Sequence, residues 1–271
     1  MKKSGVVRAS LASLALFATL AHAEDYLSPT EERVRLSLGV VHVSNNTNLQ
    51  LDSSAGITGT PVNAEDVFGL DKSDYEAKIQ AMVRVGERHR LRFDYFSLDR
   101  TGSTMVTQPI VFRDIVLQPG DPLNSSLSIR TFGITYGYSF LHSDKYEVAA
   151  TFGVSDTQIS ARARVQTQTR HVDQSEDQAG PVPNFGLDAS YVLSKRFYFD
   201  GRAQYLKVRV DHLDGSLGMY ELDALYRLRP NISFALGYSM VRASIVSRQI
   251  KQAGFFNINS KGPEFFVRIA F

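Results

Sequence analysis

Apolar and polar residues alternate along much of this chain. From Phe132 to Phe140 the even positions are Phe132, Ile134, Tyr136, Tyr138 and Phe140, and the odd ones are Gly133, Thr135, Gly137 and Ser139. A two-residue period puts successive side chains on opposite faces of a β-strand, so this segment has one bulky apolar face and one small polar face. The final segment repeats the pattern, with Phe265, Val267, Ile269 and Phe271 opposite Glu264, Phe266, Arg268 and Ala270. Strands with lipid on one side and a polar lumen on the other carry this signature over about ten residues each.

Ten such segments are predicted, beginning near Val34, Ala77, Leu91, Phe132, Val148, Leu187, Phe197, Tyr220, Ile232 and Phe265. Short turns are expected at 86–89, 141–145, 194–195 and 229–231. Long polar loops are expected near 48–74, 109–123, 168–182 and 250–262, and the link at 211–216 is a short exception. Alternating short and long connections, with an even strand count, describe an all-β, closed antiparallel transmembrane barrel with both termini in the periplasm. Eight or twelve strands stay open, because 104–117 reads either as an extension of its neighbour or as a separate hairpin.

Composition narrows the class. Lys2, Lys3 and Arg8 precede an apolar run from Ala9 to Leu20 and then Ala21-His22-Ala23, the order of a secretory signal. Residues 1–23 are therefore expected to be a cleaved signal peptide, and residues 24–271 one barrel domain. Without those three bases the chain carries 27 basic against 28 acidic residues, so nucleic acid is not an expected partner. No later stretch approaches 18 apolar residues, which argues against a transmembrane helix. There is no Cys, so stability must come from packing and backbone pairing. No cofactor or metal motif is found.

The polar face is unusually charged. Arg35, Lys78, Arg84, Arg92, Arg202, Arg227 and Arg268 fall on it, against Asp94, Glu147, Asp188, Asp200, Glu221, Asp223 and Glu264. In a narrow lumen these seven bases and seven acids are expected to pair, because an unpaired charge away from water is costly. That predicts a largely plugged interior; a narrow passive channel is the alternative. Tyr95, Tyr136, Tyr138, Tyr191, Tyr205, Tyr220, Tyr226 and Tyr238 are placed for the interfacial girdles.

The last strand resembles the assembly signal of outer-membrane barrels, in which a final Phe follows alternate apolar residues, here Phe265, Val267, Ile269 and Phe271. That resemblance implies recognition by the barrel-assembly machinery, with periplasmic chaperones as partners in biogenesis. The wider chain is similar to small outer-membrane barrels of the OmpA-transmembrane and OmpW-like class. It looks most like barrels that carry a loop such as Asp66-Val67-Phe68-Gly69-Leu70-Asp71-Lys72-Ser73 and a hairpin such as Arg88-His89-Arg90-Leu91-Arg92-Phe93-Asp94-Tyr95-Phe96-Ser97-Leu98-Asp99-Arg100. The resemblance covers most of the chain and names no activity; the chain read as a whole is expected to be a monomer in the bacterial outer membrane, in contact with its lipid and lipopolysaccharide, in a structural or binding role rather than an enzyme.

Three constellations bear on chemistry. His42-Val43-Ser44-Asn45 resembles the H-x-S-N segment of outer-membrane phospholipase A and the lipid A deacylase, and i, i+2 spacing puts base and nucleophile on one strand face. The resemblance implies an orienting carboxylate or amide about a dozen residues on, where the chain has Ser54 to Gly59 with only Asp52 and Glu65 nearby. Asp211, His212 and Asp214 resemble the Asp/His pairs of ten-stranded surface proteases, but adjacent residues point to opposite faces. Glu65, Asp66, Asp71 and Asp74 offer oxygen ligands without EF-hand spacing. A lipid hydrolase using His42 and Ser44 is the second alternative.

Overall fold

The computed structural model describes residues 28–166, 171–210, 212–249 and 253–271. The expected signal peptide lies outside them. Ten long antiparallel strands close on themselves: β1 (Val34–Leu51), β3 (Ser73–Val85), β4 (His89–Met105), β7 (Pro122–His142), β8 (Tyr146–Gln166), β9 (His171–Val192), β10 (Phe197–Val210), β11 (Leu213–Arg229), β12 (Ile232–Ser247) and β13 (Gly254–Ala270). Each pairs with its neighbour in chain order, and β13 returns to β1 in a register running from Arg35↔Ala270 to Leu51↔Gly254. Closure pairs the strand edges around the lower barrel, which a bilayer demands.

Between β1 and β3 lie β2 (Val62–Asn63) and a single helical turn, α1 (Ala64–Val67), capped by the Asn63 side chain. Between β4 and β7 lies a separate hairpin of β5 (Ile110–Phe112) and β6 (Ile115–Leu117). Both readings of 104–117 therefore hold in part: β4 extends to Met105, and the rest forms its own hairpin.

Two expected loops are corrected. Where they are described, at 171–182 and 254–262, these segments are strand, since β9 starts at His171 and β13 at Gly254. The strands are 13 to 22 residues long. At a rise of about 3.3 Å and a tilt near 40°, 22 residues climb roughly 55 Å, well beyond a hydrocarbon core of about 30 Å.

The extra length has its own pattern. Nearer the termini, outward residues are apolar and exposed, among them Leu36, Leu38, Phe132, Ile134, Phe152, Leu187, Leu222, Leu236 and Phe265. Further up the same strands the phase reverses. On β7, Leu123, Leu127 and Ile129 face inward while Asn124, Ser126 and Ser128 face out; on β8, Ile159, Ala161, Ala163 and Val165 face in while Gln158, Ser160 and Arg162 face out. Val241, Ala243 and Ile245 of β12 repeat this against Arg242 and Ser244. The lower barrel thus suits lipid outside and charge inside. The upper barrel suits water outside and an apolar core inside.

Candidate functional site

The lower lumen is filled by charge. Glu147 of β8, fully buried, receives Arg84 of β3 in a bidentate pair at 2.7 and 2.8 Å, Arg90 of β4 at 3.2 Å, and the Ser139 hydroxyl. Asp188 of β9 is bonded by Arg92 and lies 3.5 Å from Arg202 and 3.7 Å from Arg90. Glu221 of β11 takes Lys78 at 3.0 Å and Arg202 at 3.1 Å, while Glu264 of β13 takes Lys78 at 2.6 Å. Arg268 bonds Asp200. Bonds of this kind join β3 to β8, β11 and β13, and β4 to β8 and β9, so they run through the lumen interior rather than only along its wall.

Small residues and aromatic rings fit around them. A Cβ on Gly237 would lie 1.9 Å from Asp223 Oδ1, so only glycine admits that carboxylate. Phe266, predicted on the inward face, is 2 % exposed and lies under Lys78 and Arg268; Tyr198 lies under Arg227 and Arg268 and donates to Ser233 at 3.0 Å. Such cation–π contacts hold guanidinium groups where water is scarce. A polar cavity of about 60 Å³, lined by residues that include Arg92, Thr135, Asp188, Asp200 and Arg202, has room for a few waters.

The fourteen charged positions predicted for the lumen all lie there. Two partners were missed by sequence reasoning. Arg90 falls inside the quoted hairpin motif with the parity of Arg92, which was the available signal. Glu32 precedes the first strand and gave none: it accepts Arg35 at 2.6 Å and Arg227 at 3.1 Å, and its carbonyl accepts Arg84 at 3.2 Å. Its segment, from Ser28, crosses the periplasmic mouth. The Ser28 hydroxyl donates to the Asp144 carbonyl at 2.7 Å, in the β7–β8 turn, while Arg35 donates to the Pro29 carbonyl.

At the other end the two motif segments prove to be each other's partner. Arg100, 1 % exposed, closes the hairpin motif and donates to Glu65 at 2.6 Å, to the Asp71 carbonyl at 2.6 and 3.0 Å, and to the Thr47 hydroxyl at 3.0 Å. Glu65 also accepts the Thr47 backbone N–H at 2.8 Å. This clamp folds the 52–72 connection inward. There Val62, Ala64, Phe68 and Leu70 pack with Val106, Ile110 and Leu117 onto Leu123, Leu127, Ala163 and Val165. The hairpin tip is tied by Asp114, which accepts the Ser54 N–H and hydroxyl at 2.8 and 2.9 Å; those bonds hold its carboxyl below the usual aspartate range.

The other candidates stay apart. His42 and Ser44 face outward as expected, just above the apolar belt, and the His42 ring packs against Tyr75 in a tilted contact with ring centroids 4.6 Å apart. No hydrogen bond or ion pair joins His42 to a carboxylate among the described residues. Asp211 lies outside them; Asp214 is held by Arg209 at 3.1 Å and Arg248 at 3.5 Å. Glu65 turns inward to Arg100 while Asp66 pairs at the surface with Lys72 at 2.9 Å, so the loop acids do not converge. Glu221, Asp223 and Glu264 do bring carboxylate oxygens within 4.8 Å of one another, a donor set suited to a hard cation. The Lys78 ammonium already bridges two of them.

The tyrosines sit as predicted. Tyr138 and Tyr191 lie near the periplasmic turns and Tyr205, Tyr220 and Tyr238 near the phase reversal, all exposed. A closed barrel with an apolar belt, aromatic residues at both ends and a charged interior spans a membrane. The fold is that of bacterial outer-membrane β-barrels. The outer membrane protease OmpT of Escherichia coli superposes with a TM-score of 0.58 at 12% identity, covering 88% of this chain and 97% of that one. The translocator domain of the autotransporter NalP from Neisseria meningitidis gives 0.48 at 10% identity (88% and 89% covered), and neisserial surface protein A gives 0.32 at 11% (88% and 97%). At such identities the likeness is one of fold. No protein-family model and no curated protein matches the chain. The belt and the fold together place this barrel in the outer membrane.

Proposed function

We propose that this outer-membrane barrel is sealed, and serves a structural or binding role at the cell surface rather than conducting solutes. The observation that supports this is the lower lumen, where Glu147, Asp188 and Glu221 each engage bases from two other strands around a cavity with room for a few waters. An open pore would have to break several of these pairs at once. Each broken buried pair costs about 3–5 kcal/mol, because one charge is left without its partner. The outward face supports contact with lipopolysaccharide: exposed Lys207, Arg242 and Lys261 stand just above the girdle on β10, β12 and β13, where outer-leaflet phosphates lie.

Single-channel recording in planar bilayers tests the seal. Purified, folded protein is expected to give no steady current above the bare membrane. A reproducible ohmic conductance would overturn the sealed reading and favour the narrow channel.

A further inference from the structure

The apolar core of the upper barrel is filled on one side only. On β7 and β8 the inward residues lie beneath the folded-in loops, with Leu123 0 % and Val165 1 % exposed. On β10 to β13 the equivalent inward residues Leu206, Leu217, Met219, Val241, Ile245 and Phe256 are only half-buried. Strand registers put these side chains in tiers. Asn45, Ser260, Val241, Met219 and Gln204 form one row, directly above the layer of Glu221 and Arg202. Thr47, Ile258, Ala243, Leu217 and Leu206 form the next, and Leu49, Phe256, Ile245 and Gly215 the one above.

We propose that this wall is the binding site for one small, uncharged, predominantly apolar molecule entering from the extracellular side. Three observations carry it. The first is the phase reversal, which turns apolar side chains inward where the outside is wet; a barrel of this size built that way either fills its interior or holds a small ligand. The second is the contrast between the two walls, since inward apolar surface left open to water is unfavourable by about 25 cal/mol per Å². The third concerns polarity. Most of the charges below are already paired among themselves, which disfavours a charged guest. At the foot of the wall Asn45, 6 % exposed, holds a carboxamide whose nitrogen and oxygen have no partner. A guest with one hydrogen-bonding group on an apolar body matches that arrangement.

The test uses the full barrel in lipid nanodiscs with N-phenyl-1-naphthylamine, an uncharged aromatic amine whose emission rises in apolar surroundings. Protein-free nanodiscs measure uptake by the lipid alone. A saturable component of one dye per barrel is expected. Leu217→Arg, on the inward face, should weaken it at least about tenfold, because a charge is costly in an apolar site. Ser216→Arg, the outward neighbour, should leave it within about twofold. Ala243→Phe takes up the space without adding charge and should also abolish it, which keeps the test usable if Leu217→Arg does not fold. Absence of a saturable component, or equal loss in Leu217→Arg and Ser216→Arg, or retention in Ala243→Phe, would overturn the proposal. Dye binding and ionic current are separate readings, so a leaky lumen would leave this site standing and a dry wall would leave the seal standing.

Discussion

Among single residues, Glu147 carries the most. It sits at 0 % exposure with two guanidinium groups and a hydroxyl on its two oxygens, and every one of those donors comes from another strand. Its value lies in what its loss would leave behind. Glu147→Gln keeps the volume and removes the charge, so Arg84, 6 % exposed, would lose its paired carboxylate, and Arg90, 7 % exposed, would keep only Asp188 at 3.7 Å. Loss of about 3–5 kcal/mol is expected for removing one member of a buried pair. Urea unfolding in lipid or detergent, followed by the heat-modifiable shift of folded barrel on cold gels, reads this directly. A midpoint unchanged from the parent would show that water enters the layer freely and that the pairing does not hold the lumen together.

At the scale of elements the upper connections behave as inserted packing, pinned by Arg100. Its four hydrogen bonds tie β4 to α1, to the Asp71 carbonyl and to β1. Each charge-assisted bond contributes on the order of 1.5–3 kcal/mol. Arg100→Ala should therefore release the 52–72 connection without opening the strands. Limited proteolysis on intact cells is expected to cut there about tenfold faster or more, with the barrel fragment surviving. Cleavage at the parent rate would mean that the apolar contacts of Phe68 and Leu70 suffice. The same scale shows what was legible in the sequence. The lower strands announced themselves because lipid on one face and charge on the other give an unbroken two-residue alternation, and from it followed the ten strands, the inward parity of all fourteen charges and the short turns. The upper strands hid because their polarity reverses. At Asp156-Thr157-Gln158 and at Asn257-Ile258-Asn259 the alternation changes phase, and Gly180-Pro181 adds a turn signal, so 168–182 and 250–262 read as loop. Arg100 and Glu65 lie far apart in sequence, and nothing local marks them as partners.

For the whole molecule, the proposed seal rests on two layers. The segment from Ser28 to Glu32 crosses the periplasmic mouth, bonded to the β7–β8 turn, to β1 and to β11. Above it the charge layer fills the barrel between the phase reversal and the mouth. Two barriers in series conduct only if both open, and the upper one rests on strand-to-strand pairs that do not involve the segment. A chain lacking residues 24–32 should thus fold and remain closed to ions. It should also be less stable, because Arg35 and Arg227 lose Glu32. The loss should be less than that caused by Glu147→Gln, since these two bases lie at the water-facing end and can rehydrate. Bilayer recordings on the truncated chain separate the layers. Silence places the barrier in the charge layer. An ohmic current from the truncation alone would make the N-terminal segment the stopper, and the paired charges above it the lining of a water-filled pore that it closes.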